Sequence, residues 1–259
     1  MNVWKAPISL SLFAICIVTF TTPFKAAAQA PPESPIFPQE QPEAILKKAC
    51  TTLSAKQAFT ADVDVTYDNV LDSGEKVQYS GFQQLWVKRP NQFRADYTGD
   101  ERNTNFYYDG KTFTLLAKKL NLFVTKPAPS TLDATVAGVE EKYNVDIPLS
   151  NLLVSDPCKI IIPKIKKSLY VGFDLVNRVP NYHFLFTQED KDFQVWISDN
   201  PEAVLQKIVI TYKDLPGAPQ YTAVLSNWNF NPQIPADTFN FSPPKGAGKI
   251  EFLPSEIKK

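Results

Sequence analysis

Few residues in this sequence have the chemistry of a catalytic centre. The chain of 259 residues contains one histidine, His183. In the run NYHFLFTQ this histidine alternates with Tyr182 and Phe184, so it points to the opposite face of a strand from those two rings. A Ser/His/Asp triad would have to use this histidine, and no G-x-S-x-G motif accompanies it. A lone histidine without cysteines or carboxylates at ligand spacing favours a structural role, and we expect no metal site.

Two pairs of carboxylates could in principle support catalysis. Asp62 and Asp64 share one face of a strand, and Asp190 and Asp192 lie at a turn. A solvated strand face and a turn explain both pairs without any catalytic role. The sequence also contains no phosphate loop and no dinucleotide fingerprint. We therefore expect a protein that is not an enzyme and has no cofactor. The alternative, an envelope enzyme built on carboxylates, requires paired acids inside a cavity.

The first 28 residues have the features of a secretory signal. Lys5 precedes an apolar run from Ile8 to Phe20, which is shorter than the ~20 residues of a membrane span. Small residues follow, and cleavage is expected after Ala28. No lipobox precedes Cys16, and no later segment approaches the length of a span. The sequence therefore predicts an exported protein without a stable membrane anchor.

The charge balance argues against nucleic acid as a partner. The chain has 27 cationic and 27 anionic side chains, and two of the cations, Lys5 and Lys25, lie in the signal segment. The mature protein therefore has no basic excess with which to bind nucleic acid or an anionic lipid surface.

Maturation leaves two cysteines, Cys50 and Cys158. In an oxidising compartment two cysteines suggest one disulfide, although the sequence does not show that they are close. Two buried, unpaired thiols are an equal alternative.

The rest of the chain is predicted to be mainly β-structure. Residues 29–42 hold five prolines and no periodic apolar pattern, which is typical of a flexible leader. The remaining residues, 43–259, are expected to form a single domain. They begin with an amphipathic helix, and from Phe59 the apolar period changes to two. Ten or eleven strands follow, joined by turns and therefore antiparallel, and helical segments between 130 and 166 interrupt them.

So many strands exceed what stays flat, and the chain has few helices to cover them. We therefore predict an α+β, mainly β fold: a large curved antiparallel sheet with a few amphipathic helices plugging the concave side.

The stretch QLWVKRPNQFRADY, residues 84–97, interrupts a strand with a cation and a proline. Pro90 cannot donate to a ladder, so the chain bends there and places Arg89 at the rim of the sheet. A guanidinium has five donors and can bridge several carbonyl groups at once. Arg89 could therefore hold a lid closed, or it could satisfy carbonyls that Pro90 leaves unpaired.

Three motifs give the chain a family resemblance. LWVKRPNQF (85–93), DGKT (109–112) and ADTFNFSPPKG (236–246) resemble, in order and spacing, the LolA/LolB-like lipoprotein carriers of the bacterial periplasm. Over residues 40–252 the sequence is more similar to an uncharacterised group of predicted periplasmic proteins in the same superfamily. Residues 138–180 depart from the carriers, being longer and more often broken by proline than expected between the two halves of such a sheet.

The resemblance implies an open half-barrel with a helical lid over a hydrophobic cavity that holds acyl chains. It also implies that Arg89 latches the lid through backbone carbonyls and that Phe93 lines the cavity. The residues expected to contact a ligand are Val65, Leu85, Val87, Arg89, Phe93, Tyr97, Phe113, Leu115, Phe184 and Phe186.

We therefore expect a monomeric periplasmic protein that holds an apolar, acyl-chain ligand, either a lipid or a lipoprotein. The alternative is an envelope-sensing or protein-interaction module that uses the same concavity for a peptide or an envelope protein.

Overall fold

The computed structural model describes residues 41–143 and 147–251. The expected signal segment and nearly all of the expected leader lie outside these residues. Their boundaries, and those of the domain at 43–259, stay predictions.

The described residues form three α-helices, two 3₁₀ turns and twelve strands. The helices are α1 (Pro42–Ser54), α2 (Leu132–Tyr143) and α3 (Pro157–Ile161), and the 3₁₀ turns are Ser150–Leu152 and Ile162–Lys164. The strands of the first half are β1 (Ala58–Val70), β2 (Lys76–Lys88), β3 (Gln92–Gly99), β4 (Asn103–Tyr108), β5 (Thr112–Ala117) and β6 (Leu122–Pro127). The remaining strands are β7 (Lys167–Val176), β8 (Val179–Thr187), β9 (Lys191–Ser198), β10 (Leu205–Tyr212), β11 (Gln220–Asn229) and β12 (Gly248–Lys249).

All twelve strands belong to one sheet, in which β1 lies in the middle. The order is β12-β6-β5-β4-β3-β2-β1-β11-β10-β9-β8-β7. The pairs are antiparallel except for the two-residue pairing of β12 with β6. Strands β1 to β6 step outward to one side, and β7 to β11 return from the opposite edge. The chain between Pro127 and Lys167 therefore has to cross the sheet.

That crossing segment carries α2 and α3 over one face, which we call the inner face. The sheet is not closed, so the structure confirms the predicted half-barrel with helices on its concave side. Alternation in β1 explains which residues face inward, because Phe59 and Val63 have no exposed surface while Asp64 is exposed. Cross-strand pairing continues this inner row from Phe59 through Val87 and on to Phe93.

The other face, the outer face, is partly covered by the C-terminal tail. Phe239 is buried, and the Phe241 ring lies 5.4 Å from that of Tyr107 and 5.0 Å from that of Phe123. Arg94 Nη1 donates to Thr238 O at 3.3 Å. The tail thus supplies the edge strand β12 and also buries aromatic rings on the back of strands β3 to β6.

Candidate functional site

A cavity of about 180 Å³ lies under the helices on the C-terminal half of the inner face. Helix α1 contributes one wall through Leu46, Ala49 and Leu53, and α3 contributes Ile160 and Ile161. The floor consists of inward side chains of strands β9 to β11 and the residue after β11: Phe193, Val195, Ile197, Leu205, Ile208, Ile210, Trp228 and Phe230. These walls and this floor are aliphatic and aromatic, which suits an apolar ligand. Polar side chains, among them Thr52, Glu140 and Lys191, also line the cavity.

The cavity follows the whole length of β9. Lys191 lines one end of it and Ile197 the other, and six residues of extended chain span ~20 Å. At the Ile197 end, Trp228 Nε1 donates to Leu205 O at 3.0 Å, which fixes the indole ring. Phe230 stacks on that indole with ring centroids 5.4 Å apart. The cavity therefore has an aromatic end.

The N-terminal half of the inner face is filled instead. Its buried cluster joins strands β1 to β4 to Leu132 of α2 and Leu152 of the first 3₁₀ turn. Of the ten residues predicted to contact a ligand, five belong to this cluster and one packs against it: Val65, Leu85, Val87, Phe93 and Tyr97, then Phe113. Leu115 lies half-buried on the same face, opposite Phe106 and Val124.

The two predicted contacts from the C-terminal half are also packed. Phe184 and Phe186 have no exposed surface and lie in a second buried cluster with Ile45 and Leu46 of α1. The described residues that line the cavity include none of the ten predicted contacts. The predicted contacts omit the lining of β9 and β10, although Phe193, Val195 and Ile197 occupy alternate positions along the sequence, as residues on one face of a strand do. A direct contact between the ten predicted residues and a ligand stays a prediction.

Arg89 connects three separate parts of the backbone at the rim. Its Nη1 donates to Lys56 O at 2.8 Å, and its Nη2 donates to Leu152 O at 2.9 Å and to Val154 O at 3.0 Å. The guanidinium lies 5.5 Å from the centre of the Phe59 ring. Leu152 and Val154 belong to the crossing segment, so this one side chain ties the cover of the cavity to the sheet and to the loop after α1.

The surroundings of Arg89 act on its pKa in opposite directions. Burial lowers the pKa of its guanidinium, and the Asp133 carboxylate of α2 raises it in part. An arginine side chain nevertheless stays protonated in proteins at neutral pH. Asp133 also accepts hydrogen bonds from the Ser155 N–H at 3.0 Å and the Ser155 hydroxyl at 2.7 Å. The same carboxylate therefore joins α2 to the residues that follow the latch carbonyls.

Two of the three motifs that carry the family resemblance, LWVKRPNQF and DGKT, meet around this rim. The Arg89–Pro90 peptide is cis, and Pro90 O accepts from the Leu132 N–H at 2.8 Å where α2 begins. Gly110 of the DGKT turn has φ +88°, and a Cβ there would lie 2.6 Å from Nδ2 of Asn91. The turn therefore requires glycine so that the RPN segment can pack against it.

Cys50 and Cys158 form a disulfide with Cα atoms 5.6 Å apart and a sequence separation of 108. The bond joins α1 to α3, the two helices that roof the cavity. It resolves the alternative of two free thiols, and a loop of this size allows up to ~4–5 kcal/mol of stabilisation in the chain-entropy model.

Of the remaining candidates for chemistry, His183 and Asp62 lie away from the cavity, whereas Asp190 lies 3.8 Å from Lys191, which lines it. His183 stacks on Trp196 on the outer face, with ring centroids 3.9 Å apart, and its Nε2 lies 3.0 Å from Gln194 Oε1. Burial lowers the pKa of His183, and the hydrogen bond with Gln194 raises it in part. Asp62 is engaged by Asn227 Nδ2 at 2.8 Å, also outside the cavity. Within residues 41–143 and 147–251 no group of acids, histidines and cysteines could hold a metal ion.

None of the helices in the described part of the chain is both long and apolar enough to cross a bilayer.

Comparison with known proteins gives one family and several similar folds. Residues 42–253 match the model of a family described as predicted periplasmic protein (DUF2092). An uncharacterised conserved protein from Thermus thermophilus has 9% identity and a TM-score of 0.47, over 80% of this chain and 97% of that chain. Lipoprotein LppX from Mycobacterium tuberculosis has 11% identity and a TM-score of 0.42, over 73% and 94%. A LolA superfamily protein from Nitrosomonas europaea has 11% identity and a TM-score of 0.39, over 77% and 97%. No curated protein matches the sequence at a significant level.

Proposed function

The chain belongs to the family of predicted periplasmic proteins (DUF2092), and on that premise we propose that it is a periplasmic binding protein that holds an acyl chain in the cavity under α1 and α3. The observation that carries this proposal is a mainly apolar cavity, roofed by helices and bordered by a segment that one arginine holds. The protein acts by binding and release and performs no chemistry on its ligand. The motifs that it shares with lipoprotein carriers point to the same class of ligand, a lipid or a lipoprotein.

The energetics favour an acyl chain as the occupant. Each buried CH₂ group contributes about 0.8 kcal/mol, so a long chain offsets the cost of association. The cavity of about 180 Å³ is only slightly larger than the ~150 Å³ that accommodates a benzene ring. The closed protein therefore holds a short stretch of chain, and a longer one requires the cover to move outward.

Arg89 supplies a means for that movement. Its bonds to Leu152 O and Val154 O hold the crossing segment closed. The disulfide keeps α3 attached to α1, so the proposed motion belongs to the segment that follows α2. Arg89 therefore acts as a latch, and release of its hydrogen bonds admits the ligand.

The test is native mass spectrometry of the mature protein purified gently from a bacterial periplasm, followed by lipid extraction. We expect a discrete added mass that extracts into organic solvent. Ala49→Leu, which projects into the cavity from α1, should abolish that mass. Ala44→Leu, on the exposed face of the same helix, should retain it.

Two results would contradict the proposal. A clean ligand-free mass, together with failure to take up an apolar fluorescent probe, would mean that no acyl chain enters the cavity. A co-purifying peptide or envelope protein in place of a lipid would favour the interaction module instead.

A further inference from the structure

The two edges of the sheet differ in how they are protected from other chains. One edge is β12, which has only two residues and follows closely after Pro243 and Pro244. The other edge is β7, a strand of ten residues. An edge strand presents a row of unpaired backbone N–H and C=O groups, and shortness or proline is a common protection against pairing with another chain. The β7 edge has neither protection.

Strand β7 also exposes large apolar side chains. Leu169, Val171, Phe173 and Leu175 are between 43% and 61% exposed, and the Phe173 ring lies 5.4 Å from that of Tyr182 on the neighbouring strand. These four are among the ten large apolar side chains that are exposed in the described part of the chain. Such a concentration on one edge strand is typical of an interaction surface.

A β-bulge divides β7 into two parts. The pairing of β7 with β8 shifts at Val171, which is the extra residue. Before the bulge, Tyr170 lies opposite Phe184 and faces inward; after it, Phe173 lies opposite Tyr182 and also faces inward. The residues that face inward therefore have even numbers before the bulge and odd numbers after it.

This change of phase limits how β7 could pair with a second copy of itself. Two identical strands that pair antiparallel about a two-fold axis must place residues of the same face opposite each other. On β7 this condition is met along both parts of the strand in two registers. The axis passes either between Tyr170 and Val171 or between Val171 and Gly172.

Charge distinguishes the two registers. With the axis between Tyr170 and Val171, Lys167 of each copy lies opposite Asp174 of the other. Both side chains are exposed, and both belong to the outer face, since their partners on β8 alternate with the inward Phe186 and Tyr182. The other register places Leu169 opposite Asp174. Opposite charges across a strand pair are stabilising, whereas an edge lysine discourages pairing with other strands. The charges therefore favour the first register and a second copy of this chain as the partner.

We propose that β7 is a dimerisation edge, at which two copies of the chain pair antiparallel about a two-fold axis between Tyr170 and Val171. This inference concerns assembly and does not depend on a ligand, and it departs from the monomer expected from the sequence. The axis is perpendicular to the sheet, so the inner faces of the two copies continue into each other. Both cavities then lie on the same side of one continuous sheet, each beginning two strands from the axis at β9. Pairing through a single strand gives a small interface, so the dimer is weak and reversible.

The test is sedimentation velocity of the mature protein over about a hundredfold range of concentration. We expect the sedimentation coefficient to rise from that of a monomer to that of a dimer, which gives a Kd. Lys167→Glu and Asp174→Lys should each weaken the dimer about tenfold or more, because each places two like-charged pairs across the axis. The double variant K167E/D174K restores opposite charges and should return the Kd to that of the wild type. The control is Lys249→Glu on β12, at the opposite edge, which should leave the Kd unchanged.

Three results would contradict the proposal. A wild-type protein that stays monomeric at all concentrations would overturn the dimer. A dimer that both single variants leave unchanged would exclude the β7 edge in this register as its interface. Weakening by the single variants without recovery in K167E/D174K would overturn the pairing of Lys167 with Asp174. None of these results bears on the acyl ligand, whose presence the extracted mass decides separately.

Discussion

The two halves of the inner face consist of similar strands, but one half is filled by its cover and the other contains a cavity. In the N-terminal half, Leu132 and Leu152 insert between the inward side chains of β1 to β4 and fill the space. In the C-terminal half, α1 and α3 lie over β9 and β10 and leave a cavity of about 180 Å³. Both halves alternate apolar and polar residues, so the strands do not make the difference. What the cover inserts between them decides whether a concave face becomes a core or a binding site.

The means of attachment differ in the same way. The cover of the N-terminal half, which also borders the cavity through residues 147–152, is held by packing and by the hydrogen bonds of Arg89. The roof of the C-terminal half is held by the disulfide between α1 and α3, next to a space that packing does not fill. A covalent bond therefore keeps α1 and α3 together beside the cavity.

Removal of the disulfide should cause the largest loss of stability. The loss should affect the C-terminal half of the inner face more than the N-terminal half. Cys50→Ser with Cys158→Ser is expected to lower the free energy of unfolding by up to ~4–5 kcal/mol, because the denatured chain regains the entropy of a long loop. Urea unfolding measures the loss. Hydrogen exchange should show faster opening of α1 and α3 than of β2 to β5. Uniform acceleration in both halves would mean that the disulfide does not hold the roof in particular.

Truncation of one side chain in each half should separate core from cavity wall. Leu85→Ala, in the packed half, is expected to cost about 2–5 kcal/mol, whereas Ile208→Ala, which already borders the cavity, should cost below about 2 kcal/mol. Fewer contacts are lost at a wall than in a filled core. Chemical denaturation of the two variants tests the difference. Equal losses would show that the cavity wall is as tightly packed as the core.

Arg89→Leu should weaken the attachment of the crossing segment to the sheet. Hydrogen bonds to a charged group are worth about 1.5–3 kcal/mol, so loss of those to Leu152 O and Val154 O should speed release of a bound apolar probe about tenfold or more. Stopped-flow release measures the rate.

The matched control for the latch is Arg94→Leu. This arginine lies on the outer face of β3 and pairs with Asp96 at 2.7 Å, so the release rate should stay unchanged. Identical release rates in the wild type and Arg89→Leu would show that Arg89 does not act as a latch.

Replacing an alanine with leucine should have the smallest effects on stability. The substitution should destabilise the filled half and should be tolerated beside the cavity. Ala95→Leu, 5% exposed in the filled half, should destabilise by about 1–3 kcal/mol through overpacking. Ala49→Leu should leave the midpoint of urea unfolding close to that of the wild type, because the added methyl groups enter the cavity. A loss at Ala49 as large as that at Ala95 would indicate that the cavity does not accept additional atoms.

Much of the fold followed from local patterns. Pro42 begins α1, the period-two alternation from Phe59 marks β1, and the DSGE turn closes the first hairpin with Gly74 at φ +97°. The bend at Arg89 and its role as a donor to several carbonyls were also predictable, because a proline interrupts a strand beside a cation. The cover that receives those bonds was not predictable, since Leu152 and Val154 lie more than 60 residues away in a region read only as short helices broken by proline.

The predicted contacts lie mainly on the filled half of the inner face, whereas the cavity lies on the other half. Sequence resemblance drew attention to motifs at 85–93 and 109–112, and both lie at the rim of the filled half. The cavity borders β9 and β10, whose inward stripes look no different from those of β1 to β3.

The sequence by itself determined the alternation of each strand, the order of turns, the export features and the presence of a rim arginine, because these depend on neighbouring residues. Only the tertiary structure decided the pairing of Cys50 with Cys158, the passage of the tail across the outer face, and which half of the inner face remained open. Those outcomes depend on how a crossing segment and two helices fill volume between residues far apart in the chain, and periodicity contains no information on volume.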